Sequence, residues 1–298
     1  MSRERVTDDA VVYEFGPEMD AAVTVTDGAT LTVETRDSLE GAVRTDDDVM
    51  SEVPEEVNAA TGPIAVEGAG PGDVLGVAIE AIRPAEDRGR AVTIPEFGLL
   101  QDDERIDHPA SLVTPVEGDT LSVGEFDVPL DPCIGTIGVA TAGDTHSTLV
   151  PHDHGGNLDT TLLRAGNTVY FPVNRPGGML AMGDCKAAMA DGEACGTGAE
   201  IATEIDCTVT VESGDLSRPL VETDDSWAFL ASAETMEEAC RIAYRDAIDA
   251  LAEDADLSLT DAYMLASLVA DLEISQVVDP LVTVRAVVPK RYLTNPLD

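Results

Sequence analysis

The sequence predicts an α+β protein that is rich in β-structure, with mostly antiparallel strands in sandwich-like or barrel-like sheets and a helical pair late in the chain. Two observations lead to this prediction. From about residue 20 to 140, short runs of Val, Ile, Leu and Thr are separated by turns of Gly, Pro and Asp, the usual pattern of strands. From about residue 235 to 270, apolar residues instead recur every three or four positions, the period of a helix.

The strands follow one another along the first half of the chain. Residues 21–38 (AAVTVTDGATLTVETRDS) are predicted to form two strands joined by an Asp-Gly turn. Residues 61–84 and 119–142 repeat this form, with short β-rich runs broken by Gly and Pro. Further strands are predicted at residues 167–173 (NTVYFPV) and 201–214 (IATEIDCTVTVESG), and the chain closes on LVTVRAVVPKRYL.

The two helices have recognisable starts. Residues 235–254 begin with Thr235 as N-cap, and Glu238 stands where a capping box requires it. This segment places one set of apolar residues on a single face: Ala239, Ile242, Ala243, Ala247 and Leu251. The second helix lies within residues 257–276, where Ser258 or Thr260 is the predicted cap.

The charge of the chain excludes several classes of partner. With 17 Lys and Arg against 58 Asp and Glu, the formal net charge is −41, so the protein lacks the basic surface that nucleic acids and anionic membranes require. The 44% of apolar residues favours a folded chain. Acidic residues spread so evenly, with lysine at only two positions, are typical of a protein adapted to a salt-rich cytoplasm.

The sequence is interpreted as one unit, residues 1–298, with a possible division into a β-rich part, 1–150, and a site-bearing α+β part, 151–298. The first residues lack the apolar core of a signal peptide, and no stretch has the length and hydropathy of a membrane span. We therefore expect a cytoplasmic protein. The five cysteines are widely spaced and form no CxxC pair, which predicts free thiols.

Residues 151–198 hold the densest chemistry of the chain, because ionisable residues alternate there with glycine. In HGGNLD, His154, Asn157 and Asp159 surround two glycines that permit tight backbone paths into one pocket. The alternative is an Asx-type turn with a surface histidine. His152 is expected to be an exposed neighbour, although a second ligand role stays open, and His108 and His146 are expected on loops.

A second motif joins Asp184, Lys186, Asp191 and Glu193. Clustered carboxylates suit a divalent cation such as zinc, magnesium or calcium, and a solvated acidic hairpin is the alternative. Lys186 is one of only two lysines, so it either donates a compact charge or proton that arginine cannot supply, or forms a structural ion pair.

Two further residues are weaker candidates. Asp37 follows a predicted strand, where a site carboxylate or a turn-starting Asp is expected. Cys195, close to Glu193, is either a thiol nucleophile or a small buried residue. No GxSxG elbow, P-loop, HExxH or dinucleotide fingerprint occurs in the sequence.

These motifs together resemble the acetamidase/formamidase family. The matching pieces are TGPIAVEGAGPGDVL, PCIGTIGVA, HGGNLD, VYFPV, the segment from Gly183 to Thr197, SLVADLEISQVVDP and VRAVVPK, in the family's order from about residue 20 to 292. The resemblance implies hydrolysis of a short linear amide, such as formamide or acetamide, to a carboxylic acid and ammonia. It also implies a divalent metal, with zinc favoured and calcium or magnesium possible, and a homo-oligomer, either a dimer or larger.

The resemblance also assigns roles by position. Glu193, Lys186 and Asn157 are the expected catalytic residues, with Glu193 as general base for a metal-bound water. The expected metal ligands are His154, Asp37, Asp184 and Asp159, and Asp191 and Cys195 are further site candidates. Two positions depart from the family pattern, Lys186 in place of histidine and Ala190 in place of glycine.

The lysine matters because an ammonium has no lone pair with which to bind a metal. Two alternatives to the metal-dependent hydrolase therefore stay open. One is a catalytically altered member that binds a small molecule or a metal. The other is an amidase that uses Cys195 or Cys185 with Lys186 and Glu193.

Overall fold

The computed structural model describes residues 3–54 and 56–297. Strands form its framework, and both helices found in these residues come late, α1 at Met236–Asp254 and α2 at Leu259–Val269. The strands of the described residues are β1 (Glu4–Val6), β2 (Val11–Val12), β3 (Glu14–Phe15), β4 (Val23–Val25), β5 (Thr30–Thr35), β6 (Ala60–Val66), β7 (Asp73–Pro84), β8 (Arg88–Thr93), β9 (Ala110–Glu117), β10 (Thr120–Val123), β11 (Phe126–Pro129), β12 (Cys133–Gly138), β13 (His146–Ser147), β14 (Gly155–Asn157), β15 (Thr168–Pro172), β16 (Leu180–Lys186), β17 (Thr203–Ser213), β18 (Leu220–Glu222), β19 (Ser226–Ala233), β20 (Asp271–Gln276) and β21 (Val282–Pro289).

Two large sheets organise these strands. One sheet has nine strands in the order β1-β5-β17-β7-β15-β18-β19-β21-β20, and the other has six, β14-β12-β16-β6-β2 with β4 also paired to β6. All their pairs are antiparallel except β1 with β5 and β4 with β6. The predicted fold class is confirmed, and within the described residues the sheets do not close into a barrel. The nine-stranded sheet takes strands from both halves of the chain.

The main core lies between the two large sheets. Apolar side chains of the nine-stranded sheet, such as Leu75 and Phe171, pack in one buried cluster with Ile64 and Met182 of the six-stranded sheet. The alternating Val and Ile residues of the sequence supply these inward faces, because successive side chains of a strand point to opposite sides. This is the sandwich arrangement of two sheets.

A second core joins both helices to one end of the nine-stranded sheet. The Ala face of α1 predicted from the sequence packs there, since Ala239, Ala243 and Ala247 are fully buried against β19 and β21. Thr235 is the N-cap of α1 and accepts a hydrogen bond from the Glu238 backbone N–H, as predicted. Ser258, rather than Thr260, caps α2.

The alternation of side chains breaks in the middle of β16, and this break creates the candidate site. Met182 and Cys185 both face the main core although they lie three residues apart. Asp184 has φ 54°, and this left-handed residue changes the phase of the strand. As a result Asp184 and Lys186 point away from the apolar core.

No helix among the described residues is long and apolar enough to cross a membrane.

We predict that the sandwich core depends on Phe171, which is fully buried in β15. Phe171→Ala is expected to lower the free energy of unfolding by about 3–5 kcal/mol, because it leaves a cavity between the nine-stranded sheet and the six-stranded sheet. Urea unfolding at constant salt measures the effect. The control is Phe126→Ala, whose ring is 67% exposed, and this change should shift stability by less than about 0.5 kcal/mol. Equal effects of the two substitutions would contradict the assigned core.

Candidate active site

A cavity of about 260 Å³ lies beside the six-stranded sheet. Its walls divide into a polar floor and an apolar rim. The apolar rim is formed by Leu39, Met50, Val53, Val57, Ile94, Phe97 and Leu149, and the polar lining by Ser38, Asn58, Asn157, Asp184, Lys186, Glu193, Thr197, Glu200 and Asp279. The cavity therefore offers one charged end and one end suited to a small apolar group.

The floor of the cavity is built around the ammonium group of Lys186. Its Nζ donates to Asp159 Oδ1 at 2.6 Å and to Asp184 Oδ2 at 2.5 Å. Glu193 Oε1 lies 3.5 Å and Glu200 Oε1 3.9 Å from the same nitrogen. All five side chains are almost completely buried. A single lysine thus compensates a group of four buried carboxyls, which without it would carry an unpaired buried charge.

Backbone geometry and two glycines make room for this group. Asp159, Asp184 and Glu193 all have positive φ, at 40°, 54° and 47°, a conformation that costs free energy for a residue with a side chain. A Cβ at Gly135 would collide with Lys186 Nζ and with both aspartates, and a Cβ at Gly198 would collide with the Lys186 stem. The backbone is strained at these three acidic residues, and glycine is required at the two positions that face the charged groups. Both features allow the charged groups to converge.

Burial raises the pKa values of three of these four carboxyls, Asp159, Asp184 and Glu193. The pKa of Asp184 rises to about 8, with Lys186 opposing this shift and a hydrogen bond to Glu200 favouring the protonated form. The pKa of Glu193 lies well above its usual range, and the Asp159 charge adds to the effect of burial. Glu200 accepts hydrogen bonds from Ser38 Oγ at 2.7 Å and from the Gly198 backbone N–H at 2.8 Å.

Lys186 itself stays charged. Burial lowers the pKa of its ammonium, but the surrounding carboxylates outweigh burial and hold that pKa well above its usual range. At neutral pH the floor therefore contains a permanent cation, the Lys186 ammonium, beside the protonated acid Asp184. Asp159 Oδ2 is buried without a hydrogen-bond partner among the described residues.

Asn157 enters the cavity from the end of β14 and is fixed by hydrogen bonds on both sides. Its Oδ1 accepts from Asn58 Nδ2 at 3.0 Å and from Thr136 Oγ1 at 2.5 Å. Its Nδ2 therefore points the other way and donates to Asp279 Oδ2 at 2.9 Å. Asn58 has φ 66°, and its own Oδ1 is buried without a hydrogen-bond partner among the described residues.

The structure adds four polar residues to the site that the motifs did not single out: Ser38, Asn58, Glu200 and Asp279. Glu200 and Asp279 have a sequence signal, because Glu200 follows the GTG segment and Asp279 belongs to SQVVDP, one of the pieces that resemble the family. Ser38 and Asn58 border a loop of about twenty residues without such a signal. These two residues are recognised as part of the site only from the structure, in which both line the cavity.

Of the predicted site residues, Asn157, Asp159, Asp184, Lys186 and Glu193 come together, and the others do not. Asp37 accepts from the backbone N–H groups of Leu39 and Gly41, at 3.1 and 3.0 Å, and so starts the loop that covers the cavity. Asp191 pairs with Arg285 Nη2 at 2.6 Å. Cys195 is exposed, with Sγ 3.3 Å from Thr197 O.

The second cysteine considered as a nucleophile lies on the wrong face of its strand for this cavity. Cys185 is fully buried in the main core, and burial raises the pKa of its thiol to about 12. Neither Cys185 nor Cys195 lines the cavity. The geometry therefore places no thiol, among the described residues, beside Lys186 and Glu193.

The expected ligand set of His154, Asp37, Asp184 and Asp159 is not assembled. His154 lies beside Phe15, with ring centroids 5.0 Å apart, and it lines a different cavity. Lys186 Nζ occupies the position between Asp159 and Asp184 that a cation would take. An ammonium there repels a metal ion and donates no electron pair, so the residues of this cavity do not fit the metal that the family resemblance implies.

Comparison with known proteins places these residues in a wider group. Residues 2–144 and 135–293 match the model of the acetamidase/formamidase family. The chain belongs to the acetamidase/formamidase family. The solved acetamidase of Bacillus halodurans is 34% identical, with a TM-score of 0.93 over 97% of this chain and 98% of that one.

Two curated relatives match over shorter stretches. The formamidase of Methylophilus methylotrophus is 44% identical over 69 residues, which is 23% of this chain and 17% of that protein. A relative in Schizosaccharomyces pombe is 26% identical over 236 residues, which is 59% of this chain and 58% of its own length. The chain thus spans less than two thirds of these curated relatives.

We predict that replacing Lys186 by methionine lowers the free energy of unfolding by about 3–5 kcal/mol near neutral pH, because the buried carboxyls lose their only cation. Asp159, Asp184 and Glu193 have folded pKa values above their unfolded values, so their contribution to stability is present in acid and lost as the pH rises through the folded values. The deficit of Lys186→Met should therefore be larger at pH 8 than at pH 5. Urea unfolding at the two pH values measures it.

The other lysine of the chain provides the control for this prediction. Lys290 forms a partly exposed ion pair with Glu222 at 2.7 Å, so Lys290→Met is expected to cost at most about 1 kcal/mol. A Lys186→Met protein that is as stable as Lys290→Met at pH 8 would contradict the role assigned to the buried ammonium.

Proposed function

We propose that this protein hydrolyses the C–N bond of short linear amides, giving a carboxylate and ammonia. The observation that carries the proposal is the buried Lys186 ammonium among four buried carboxyls, at the floor of a small cavity. Membership of the acetamidase/formamidase family supports the reaction class. A solved structural relative named acetamidase supports it further.

Substrate binding follows from the two ends of the cavity. The apolar rim, which includes Phe97 and Leu149, suits the acyl group of the amide. The amide group then lies at the polar floor, where Lys186 presents a positive charge to the carbonyl oxygen. Charge that develops on this oxygen when a nucleophile attacks is stabilised in a site that excludes most water.

Proton transfer is assigned to Glu193, which lines the cavity. A water molecule attacks the carbonyl carbon, a C–O bond forms, and the Glu193 carboxylate accepts the water's proton. Glu193 then donates this proton to the amide nitrogen, the C–N bond breaks, and ammonia leaves. Asn157, fixed by Asn58 and Thr136, orients the substrate.

In this proposal Lys186 supplies the positive charge that the family resemblance assigned to a divalent metal. A tethered ammonium stabilises an oxyanion by charge and by hydrogen bonding, the two contributions that also come from a bound cation. The nucleophile is then a water activated by Glu193.

The activity is tested by ammonia release from formamide, acetamide and propionamide in molar KCl. Glu193→Gln is expected to lower kcat by about 100-fold or more, since general acid–base catalysis contributes about 10² to 10⁴. Cys195→Ala is the control and should keep wild-type activity. Failure of all three amides to react would contradict the proposed function, and loss of activity in Cys195→Ala would favour a thiol mechanism.

Chelation distinguishes the two ways of supplying the cation. We expect ammonia release to survive exhaustive chelation, because Lys186 is covalently part of the chain. Activity that disappears with chelator and returns with added zinc, in the wild type and equally in a variant with His146 and His152 replaced by glutamine, would contradict the role of Lys186 and restore the metal-dependent route for this cavity.

We also propose that the protein works in a salt-rich cytoplasm. The 58 acidic residues against 17 basic ones support this, because concentrated salt screens their mutual repulsion. The scarcity of lysine supports it too. The chain has only two lysines, and one of them, Lys186, is buried in the candidate site.

A homo-oligomer is proposed from one exposed apolar surface, the α2 face. It consists of exposed side chains on α2 and on β20 at the open edge of the nine-stranded sheet: Leu259, Tyr263, Met264, Leu268, Leu272 and Ile274. In a chain with 58 acidic residues, α2 contains a single one, Asp261. A second copy of the chain would cover this surface and the open strand edge together.

We predict that sedimentation in molar KCl shows a dimer or a larger oligomer. Leu268, 82% exposed, is expected to lie at the interface, so Leu268→Asp should shift the protein to monomer by burying a charge against an apolar surface. Leu100→Asp, at a 52% exposed leucine on a distant loop, is the control and should leave the oligomer unchanged. A wild-type monomer at all protein concentrations would contradict the proposal.

A further inference from the structure

Three of the four histidines of the chain meet at one place outside the active-site cavity. His146 lies on β13, His152 in the following turn, and His154 directly before β14. The rings of His146 and His152 have centroids 4.5 Å apart, and that of His154 lies 5.4 Å from His146. The three rings are nearly parallel, with interplanar angles of 9° to 21°. We call them the histidine cluster.

The ring nitrogens of the cluster converge. One nitrogen of each histidine lies within 4.8 Å of the corresponding nitrogens of the other two. Two imidazoles bound to one zinc ion have their nitrogens about 3.4 Å apart, because each Zn–N bond is about 2.0–2.1 Å. His146 and His152 are only half-buried, so small side-chain movements of about 1 Å bring the three nitrogens to bonding distance.

His154 is an unsatisfied group in its present surroundings. It is 3% exposed, and neither Nδ1 nor Nε2 has a hydrogen-bond partner among the described residues. Two glycines leave the ring its space, since a Cβ at Gly138 would lie 3.3 Å from His154 Cδ2 and one at Gly156 would lie 3.4 Å from Nε2. A buried imidazole with two unpaired nitrogens costs free energy, and a bound cation removes that cost.

The three side chains also supply the ligand atoms that a divalent transition metal prefers, since each offers an imidazole nitrogen. Neutral imidazoles keep a lone pair on one nitrogen of each ring and are the commonest metal ligands. Ring stacking alone would leave these lone pairs without a function.

We propose that His146, His152 and His154 bind one divalent transition-metal ion, with zinc the best match to three imidazole ligands. The ion is separate from the catalytic cavity, since the two cavities share no lining residue. The groove over the cluster, lined by Asp144 and Asp153, leaves the fourth coordination position open to solvent. The negative potential of the chain attracts a cation to it.

The expected effect of the ion is to tie the segment from His146 to His154 into one rigid unit. This unit leads directly into β14, whose last residue is Asn157. Metal binding therefore stabilises the strand that carries one wall of the active site, without any ligand from that site. The proposal does not depend on the hydrolase activity.

The test is zinc binding to the full-length protein, stripped of metal and measured by competition with a chromogenic chelator. Excess magnesium is present in this measurement, because it prefers oxygen ligands and so keeps zinc from binding to carboxylate-only sites on the acidic surface. Cobalt in place of zinc gives the visible absorption of a low-symmetry nitrogen-ligated ion. Thermal unfolding with and without zinc provides an independent readout.

We expect one zinc ion per chain and a rise of the melting temperature with zinc. His146→Gln and His152→Gln should each weaken binding by more than about 100-fold, since even outer-shell changes cost about 10 to 100-fold. His108→Gln, at the one histidine outside the cluster, and Lys186→Met, in the catalytic cavity, should still bind one zinc. Failure of the wild type to bind zinc, or equal binding by the wild type and both cluster variants, would overturn the proposal.

Discussion

The structure of the active-site cavity depends on one buried ion cluster, the Lys186 ammonium surrounded by four carboxyls. Removing water from four acids costs free energy unless a cation replaces it. The other lysine of the chain, Lys290, forms its ion pair at the surface. The cluster explains why β16 abandons its regular alternation, why three acids adopt left-handed backbone, and why Gly135 faces them. Each of these features costs stability alone and is stabilised by the same ammonium.

The sequence predicted the fold to the extent that local patterns determine it. The alternation of Val and Thr in β5 and β17 and the Ala face of α1 are visible in the sequence, and the structure confirms them. Thr235 and Ser258 also cap the predicted helices. The order of the nine-stranded sheet was not predictable, because strands such as β5 and β17 pair across about 170 residues and no local signal specifies that pairing.

For the site, sequence reasoning found the residues that lie close together in the chain. Asn157, Asp159, Asp184, Lys186 and Glu193 were identified from two glycine-rich motifs, and four of them line one cavity while Asp159 pairs with Lys186 beneath it. His154 stands in the same motif as Asn157, yet it lies on the other side of two glycines with φ 103° and 88°, and such backbone redirects the chain. The histidine cluster was not predicted, because no motif joins His146 to the other two histidines. The pairing of β13 with β3 places His146 opposite Phe15, whose ring lies beside His154.

The tethering of the cation to the chain has a consequence for regulation. A dissociable ion lets a cell switch an enzyme by supply, storage or sequestration of that ion, and it lets a wrong ion poison the site. A lysine is a covalent part of the chain, so its charge is neither withdrawn by the cell nor replaced by a wrong ion. The positive charge of this cavity is in place as soon as the polypeptide folds, so it does not depend on the supply of an ion.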